Sequence, residues 1–224
     1  IRYVSTNGNR VLTTDEVTGK SGEAIAYSTT SQITEFKKQG YNLVSDEFTA
    51  GGAKVYDYDT ARDQVYTVTL SERVEPVNPD NPTPQPNTPV NPGQPDSPRW
   101  PASVHDLDNK ESVNRTIHYV YEDGSKAKDD VVETLNFKRW SNVNLVTGHI
   151  DFQDWTTNDD TFDKVVSPTI AGYTADKSEI PAVSGVKAKD QDRVETVTYR
   201  KDAQKAVIRY VSTNGNRVLT TDEV

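Results

Sequence analysis

Between Glu75 and Pro101 a proline recurs every two or three residues, and this segment holds ten of the chain's twelve prolines. Proline fixes φ and donates no backbone N–H, so neither a helix nor a central strand is expected there. The 224-residue chain is therefore not expected to close around one continuous core. The segment reads as an extended polyproline II spacer with a rise of ~3.1 Å per residue. An SH3-type ligand is the weaker reading, because Asn and Gln rather than Arg or Lys separate the prolines. The linker, 75–101, leaves a module at about 1–74 and a larger one at about 102–206. Apolar residues make up 33% of the chain, against a usual ~45–50%, which also favours small or elongated modules over one deep core.

Residues 1–17, IRYVSTNGNRVLTTDEV, recur unchanged as residues 208–224, at an offset of 207. Seventeen matches in seventeen positions mark one full period of a tandem array followed by the opening of the next copy. Arrays of this kind act by multiplying one unit, and binding or spacer modules are duplicated this way more often than catalytic sites. The absence of Met reads as an internal piece of a longer protein. The terminal copy, from 207 on, is a lone hairpin. Two strands alone are marginal in water, so it is expected to lean on the second module or to pair with another molecule. The short junction from Lys201 to Val207 predicts a tight contact there.

The two modules look like distant copies of each other. Ile1-Arg2-Tyr3-Val4, leading to Gly8, aligns without a gap to Ile117-His118-Tyr119-Val120, leading to Gly124. Gly40-Tyr41 answers Gly172-Tyr173, and Val65 to Thr69 answers Val194 to Thr198. The second module carries 16 extra residues between the first two landmarks, roughly within Leu135 to Trp155. Val and Thr are abundant and favour strands. Asn7-Gly8 and Asp123-Gly124 predict type I′ hairpin turns, with φ > 0 at both central residues. In the first module Thr29 with Gln32 forms a capping box, Ile33 and Phe36 share a helical face, Lys37 and Lys38 suit the C-terminal end, and Gly40 stops the helix. Strands are expected at Val55 to Tyr58 and Val65 to Leu70. A right-handed crossover through that helix gives a β-grasp, or ubiquitin-like, sheet. The second module shows no such helix, and its insertion reads as strand and loop. The expected fold is β-rich α+β, with two β-grasp modules in an elongated tandem joined by the proline-rich linker.

At these residues the chain resembles the mucus-binding (Mub) repeats and mucin-binding modules of lactobacillal surface adhesins. The stretch Arg115 to Gly124, then Thr147-Gly148, Trp155, Ser167-Pro168 and Gly172-Tyr173, is similar to the second domain of such a repeat. The first module resembles its smaller first domain. The resemblance implies β-grasp modules related in shape to bacterial immunoglobulin-binding domains. It also implies an extracellular, cell-wall-attached protein of a Gram-positive gut bacterium that binds mucus glycoproteins, with the anchor outside this fragment.

The chemistry-bearing residues point the same way. Cysteine is absent, so there is no disulfide, thiol nucleophile or cysteine zinc site. His105, His118 and His149 lack metal-ligand spacing, no nucleophile elbow is present, and no cofactor or enzymatic activity is expected. The acidic clusters around Asp57, Asp159 and Asp190 lack the EF-hand pattern and read as solvated turns. The net charge of −9 argues against nucleic acid. No run of 18 apolar residues would span a bilayer.

Aromatic faces stack on sugar C–H surfaces and give contact area at low entropy cost. Trp140 and Trp155 bracket the insertion, and Tyr56 and Tyr58 stand in the first module. These four are the candidate ligand-binding residues, with core packing as the alternative for each tryptophan. Tyr66 could serve similarly, and Trp100 is placed to pin the prolines to the second module. The leading expectation is weak binding of mucin glycans by each repeat, amplified by the array, with the repeat itself monomeric. The alternatives are immunoglobulin binding by strand addition to a free edge of the first module, or a spacer repeat with no ligand.

Overall fold

The computed structural model describes residues 1–223. In chain order it contains β1 (Arg2–Ser5), β2 (Val11–Thr14), helix α1 (Thr30–Lys38), β3 (Tyr41–Asp46), β4 (Thr67–Glu72) and β5 (Val74–Val77). A 3-10 turn at Ala102–Asp106 precedes the long strands β6 (Lys110–Tyr121) and β7 (Lys126–Lys138). There follow β8 (Ser141–Asn144), β9 (Ile150–Phe152), β10 (Val165–Val166), β11 (Tyr173–Ala175), β12 (Glu179–Ile180) and β13 (Arg193–Lys201). The last pair is β14 (Val207–Val211) and β15 (Val218–Glu223). Strands dominate, and α1 is the only α-helix among the described residues. Two compact units result: residues 1–110 with 138–156, and 111–137 with the residues from 157 on. This partition crosses the boundaries that the proline run suggested.

In the first unit the sheet order is β2-β1-β4-β3. β1 runs parallel to β4, from Arg2 opposite Thr67 to Ser5 opposite Leu70, and the outer pairings are antiparallel. Helix α1 lies in the connection that makes the parallel pairing possible. It buries Ile33 and Phe36, as the helical spacing predicts. The Phe36 ring lies 5.6 Å from both Tyr3 and Tyr41. Each such burial contributes about 1.5–3 kcal/mol.

The capping box does not form, because Thr29 makes no side-chain cap bond. Its buried hydroxyl is committed to the Asp46 carboxylate at 2.6 Å. The hairpin turn is also displaced by one residue: positive φ falls on Gly8 and Asn9, not on Asn7. Val55 contributes only an isolated bridge to Ala24, and the expected strand at Val55 to Tyr58 is absent.

Burial pushes the Asp46 carboxyl up, but hydrogen bonds from Thr29, Thr49 and the Phe48 and Thr49 backbone N–H groups outweigh it. The net pKa lies below the ordinary aspartate range. A depressed folded value adds stability above the unfolded pKa, and that stability is lost as pH falls through the folded one. Asp46→Asn is therefore expected to lower stability at neutral pH and flatten the acid limb. Urea midpoints taken from pH 6 down to pH 2 check this, and parallel profiles for the two proteins would refute it.

The proline-rich segment is not an extended spacer. Val74–Val77 pairs antiparallel with β8, which pairs with β9, giving the order β5-β8-β9. Pro76 is tolerated because β5 is an edge strand. Farther on the chain doubles back, with Asn87 N–H donating to Trp100 O, Trp100 N–H to Thr88 O and Val90 N–H to Pro98 O at 2.9–3.0 Å. The prolines fall where no N–H is needed, and residues between them make the turns. Trp100 packs with Val90 against Val77, Val104, Val143 and Leu145. It thus pins the prolines inside the first unit, onto strands supplied by the insertion.

In the second unit the sheet order is β11-β13-β6-β7, with β6 and β13 parallel from Arg115 opposite Arg193 to Tyr121 opposite Tyr199. This repeats the arrangement of the first sheet: an opening hairpin, the last strand parallel to its first arm, and an antiparallel neighbour outside. Ile117, Tyr119, Ile180, Val197 and Tyr199 form its core. At the hairpin only Gly124 has positive φ, so Asp123-Gly124 does not make the expected I′ turn.

The terminal pair β14 and β15 stays two-stranded, and every one of its residues is exposed. Among the described residues, neither the expected packing on the second module nor a tight junction at 201–207 is seen.

Candidate functional site

The first unit places all four candidate aromatics, since it takes in residues 138–156. Tyr56 is half-buried, and its ring lies on the backbone of Gly19, where a Cβ would come within 2.1 Å of it. Backbone bonds from Gly22 N–H to Tyr56 O and from Tyr56 N–H to Glu23 O hold that loop against residues 54–56 at 2.8–2.9 Å. Tyr58 is 82% exposed, with its hydroxyl beside Gly22. Tyr66 is not available, because it packs edge-on to Phe48 at 5.3 Å within the core.

Tyr56 lines an open cleft of about 460 Å³ together with Arg2, Asp15, Asp57, Arg62 and Asp63. Residues from both ends of the module meet here, so linear spacing gave no sign of the cleft. The only local hint was Gly19, whose bare backbone accepts the Tyr56 ring. Asp57 and Asp59 spend carboxylate oxygens on loop N–H groups, Asp59 N–H and Ala61 N–H respectively. That supports the solvated-turn reading of this acidic cluster. Among the described residues no three His, Asp or Glu side chains gather to hold a metal ion. What the cleft offers is a ring face flanked by carboxylates and guanidinium groups, suited to hydrogen bonding with polyhydroxylated ligands.

The two tryptophans differ from each other. Trp140 is 42% exposed at the turn between β7 and β8. Trp155 is half-buried, with the Arg139 guanidinium 4.3 Å from its ring. The same guanidinium lies 3.9 Å from Phe152 and donates to the Asp108 carbonyl and carboxylate at 2.7 and 3.0 Å. The stack ties β9 to the chain before β6, which is the packing alternative for this tryptophan. Tyr58, Trp140 and Trp155 all stand outside the Tyr56 cleft.

Residues 1–72 match the family described as a mucin binding domain, and residues 104–203 match the Muc B2-like domain. The crystal structure of Mub-RV is 26% identical with a TM-score of 0.70, over 90% of this chain and 97% of that one. The type 2 repeat of the mucus binding protein MUB from Lactobacillus reuteri is 28% identical with a TM-score of 0.57, over the same shares. The MucBP domain of the adhesion protein from Pediococcus pentosaceus is 35% identical over 41% of this chain and 99% of that one, with a TM-score of 0.37. A comparison with curated proteins found no match. With both halves matched in order, this chain belongs to the mucus-binding (Mub) repeat family.

Proposed function

We propose that this chain is a cell-surface adhesin repeat that binds mucin glycans weakly and gains strength by repetition. The observation that carries the reading is the ordered match of a mucin binding domain and a Muc B2-like domain along one chain. In sequence the repeated modules are 1–74 and 102–206, each a β-grasp by its hairpin and parallel crossover. Residues from 207 open the next copy. The protein acts outside the cell, attached to the wall of a Gram-positive bacterium, and it carries no catalysis.

Exposed Trp140 and Tyr58 are the first contacts for sugar rings, and Tyr56 with its cleft offers a second patch. Trp155 serves Trp140 indirectly, through the Arg139 stack that holds its loop. Weak sites of this kind multiply along an array by effective concentration. Trp140→Ala and Tyr58→Ala are each expected to weaken retention on immobilised mucin by several-fold, and Trp155→Ala to act through stability. Surface plasmon resonance on native and enzymatically deglycosylated mucin checks this. Undiminished binding after deglycosylation would refute glycan recognition.

The edge strands β2 and β3 favour a second reading, since each has an unpaired side on which a host β-protein such as immunoglobulin could add a strand. Binding of immunoglobulin that survives both aromatic substitutions would support it. A repeat that retains neither ligand when immobilised at high density is a spacer.

A further inference from the structure

Tension on a repeat held in an array enters each module through its first strand and leaves through its last. In both sheets those two strands are neighbours and run parallel. β1 lies beside β4 from Arg2 opposite Thr67 to Ser5 opposite Leu70, and β6 lies beside β13 from Arg115 opposite Arg193 to Tyr121 opposite Tyr199. Pulling the start of one strand against the end of the other slides the pair along its own length. The hydrogen bonds between them are then strained all together, because they are evenly spaced along a parallel ladder. An antiparallel pair pulled from its open end gives up its bonds one after another.

The loaded strands are also the protected ones. β1 with β4, and β6 with β13, are the inner pairs of their sheets. Tyr3, Val68, Ile117 and Val197 cover them on the core side, and each is 0% exposed. Water replaces a hydrogen bond of this kind only after the strands have parted. Arg2 N–H to Tyr66 O and Thr6 N–H to Leu70 O, each at 2.8 Å, close the two ends of the first pair. Asn114 N–H donates to the Asp192 carboxylate at 2.7 Å and closes the entry of the second. Between these pairs in sequence, the proline segment has the opposite geometry. Its arms are antiparallel, bonded from Asn87 to Trp100 and bridged at Pro89 and Arg99. The chain enters and leaves them at the same open end, where Trp100 packs in one cluster with Val77. Peeling these arms frees about 80 Å of chain between Val77 and Pro101 at full extension, with both parallel pairs intact.

We propose that the repeat is a load-bearing link: each sheet is a shear clamp that carries tension between its first and last strands, and the folded proline segment is a reserve that opens before either clamp. Under a pull the link lengthens first and unfolds only later, so strain is spread along the array before any module is lost. The proposal rests on the reading of the chain as an array repeat, which sets where tension is applied, and not on what the repeat binds.

The test is single-molecule force spectroscopy on the whole 224-residue chain, without mucin. Pulled through its two ends, the chain is expected to show a low-force step of about 80 Å, followed by rupture of the two sheets at higher force. Trp100→Ala is expected to weaken or abolish the first step and to leave the β6–β13 rupture unchanged. A second arm changes only the direction of pull. Val65 is 45% exposed just before β4, beside the start of β1, and native cysteine is absent, so Val65→Cys gives a single attachment point there. Pulling between the N-terminus and Cys at that position peels the same two strands from adjacent ends, and they are expected to part at several-fold lower force. The proposal is overturned if both directions need the same force, if the sheets part before the short step, or if Trp100→Ala leaves that step as it was. Mucin retention is measured separately on the same chain, so failure of the clamp leaves the adhesin reading standing, and failure of the adhesin reading leaves the clamp.

Discussion

Arg115→Ala is expected to destabilise the second unit by about 3 kcal/mol or more, the range for removing one partner of a buried ion pair. The Arg115 side chain is 1% exposed. Its Nε donates to the Glu133 carboxylate at 2.6 Å, one terminal nitrogen donates to Pro181 O at 3.0 Å, and the other to Asp163 O. The guanidinium also lies 5.1 Å from the Phe162 ring. One planar fork therefore joins β6 to β7 and to two loop carbonyls that bear no other role in a sheet. Removing it strands the carbonyls and leaves a carboxylate that is only 24% exposed. Lysine retains the charge but not the fork, so Arg115→Lys is expected to recover only part of the loss. Arg115→Met with Glu133→Leu removes both charges and is expected to cost less than Arg115→Ala alone. Hydrogen exchange on peptides from β6 and β13, together with urea midpoints, checks the series. Equal stabilities for Arg115→Ala and the double variant would show that the ion pair is not what holds these loops.

Arg115 illustrates which parts of the fold could be read in advance. Its neighbours Ile117 and Tyr119 alternate toward the core and were legible as a strand. An arginine in the middle of β6 does not read as a core residue from its side-chain type, and its partners lie at positions 133, 163 and 181. The parallel sheet centres were legible for a different reason. The paired hairpin motif and the closing Val-x-Thr-Val-Thr strand recur in both modules, and the first unit joins them through a helix marked by Ile33, Phe36 and Gly40. The proline segment was misjudged because local backbone rules exclude a central strand but not an edge strand. Its partner β8 comes from an insertion some seventy positions away. The candidate aromatics divide along the same line. Exposure of Tyr58 and Trp140 fits a polar loop, but the Arg139 stack on Trp155 and the meeting of Tyr56 with Arg2 depend on chain folding that spacing does not encode.

Gly40→Ala tests that long-range docking directly. Gly40 has φ +95, and a Cβ there would meet the Leu145 Cβ at 2.8 Å and its carbonyl carbon at 3.1 Å. Around this contact Arg73 N–H donates to Gly40 O at 2.8 Å and Leu145 N–H to Arg73 O at 2.9 Å. The Asn144 amide donates to Glu72 at 2.8 Å. The end of α1 and the start of β3 thus lie directly against the insertion, and only a residue without a side chain lets them. Backbone strain costs about 1–3 kcal/mol, and an overpacked contact adds a similar amount. Gly8 supplies the control, because its φ is +69 but nothing lies within 4 Å of its would-be Cβ. Gly8→Ala is expected to show the strain alone, and Gly40→Ala the strain plus loss of docking. The difference should appear as faster hydrogen exchange in β8 and β9, and as altered Trp140 and Trp155 fluorescence, in Gly40→Ala only. If the two alanine variants lose equal stability and leave β8 and β9 equally protected, the close approach at Leu145 is not what fastens the insertion. The proline segment, which shares those strands, would then need another anchor.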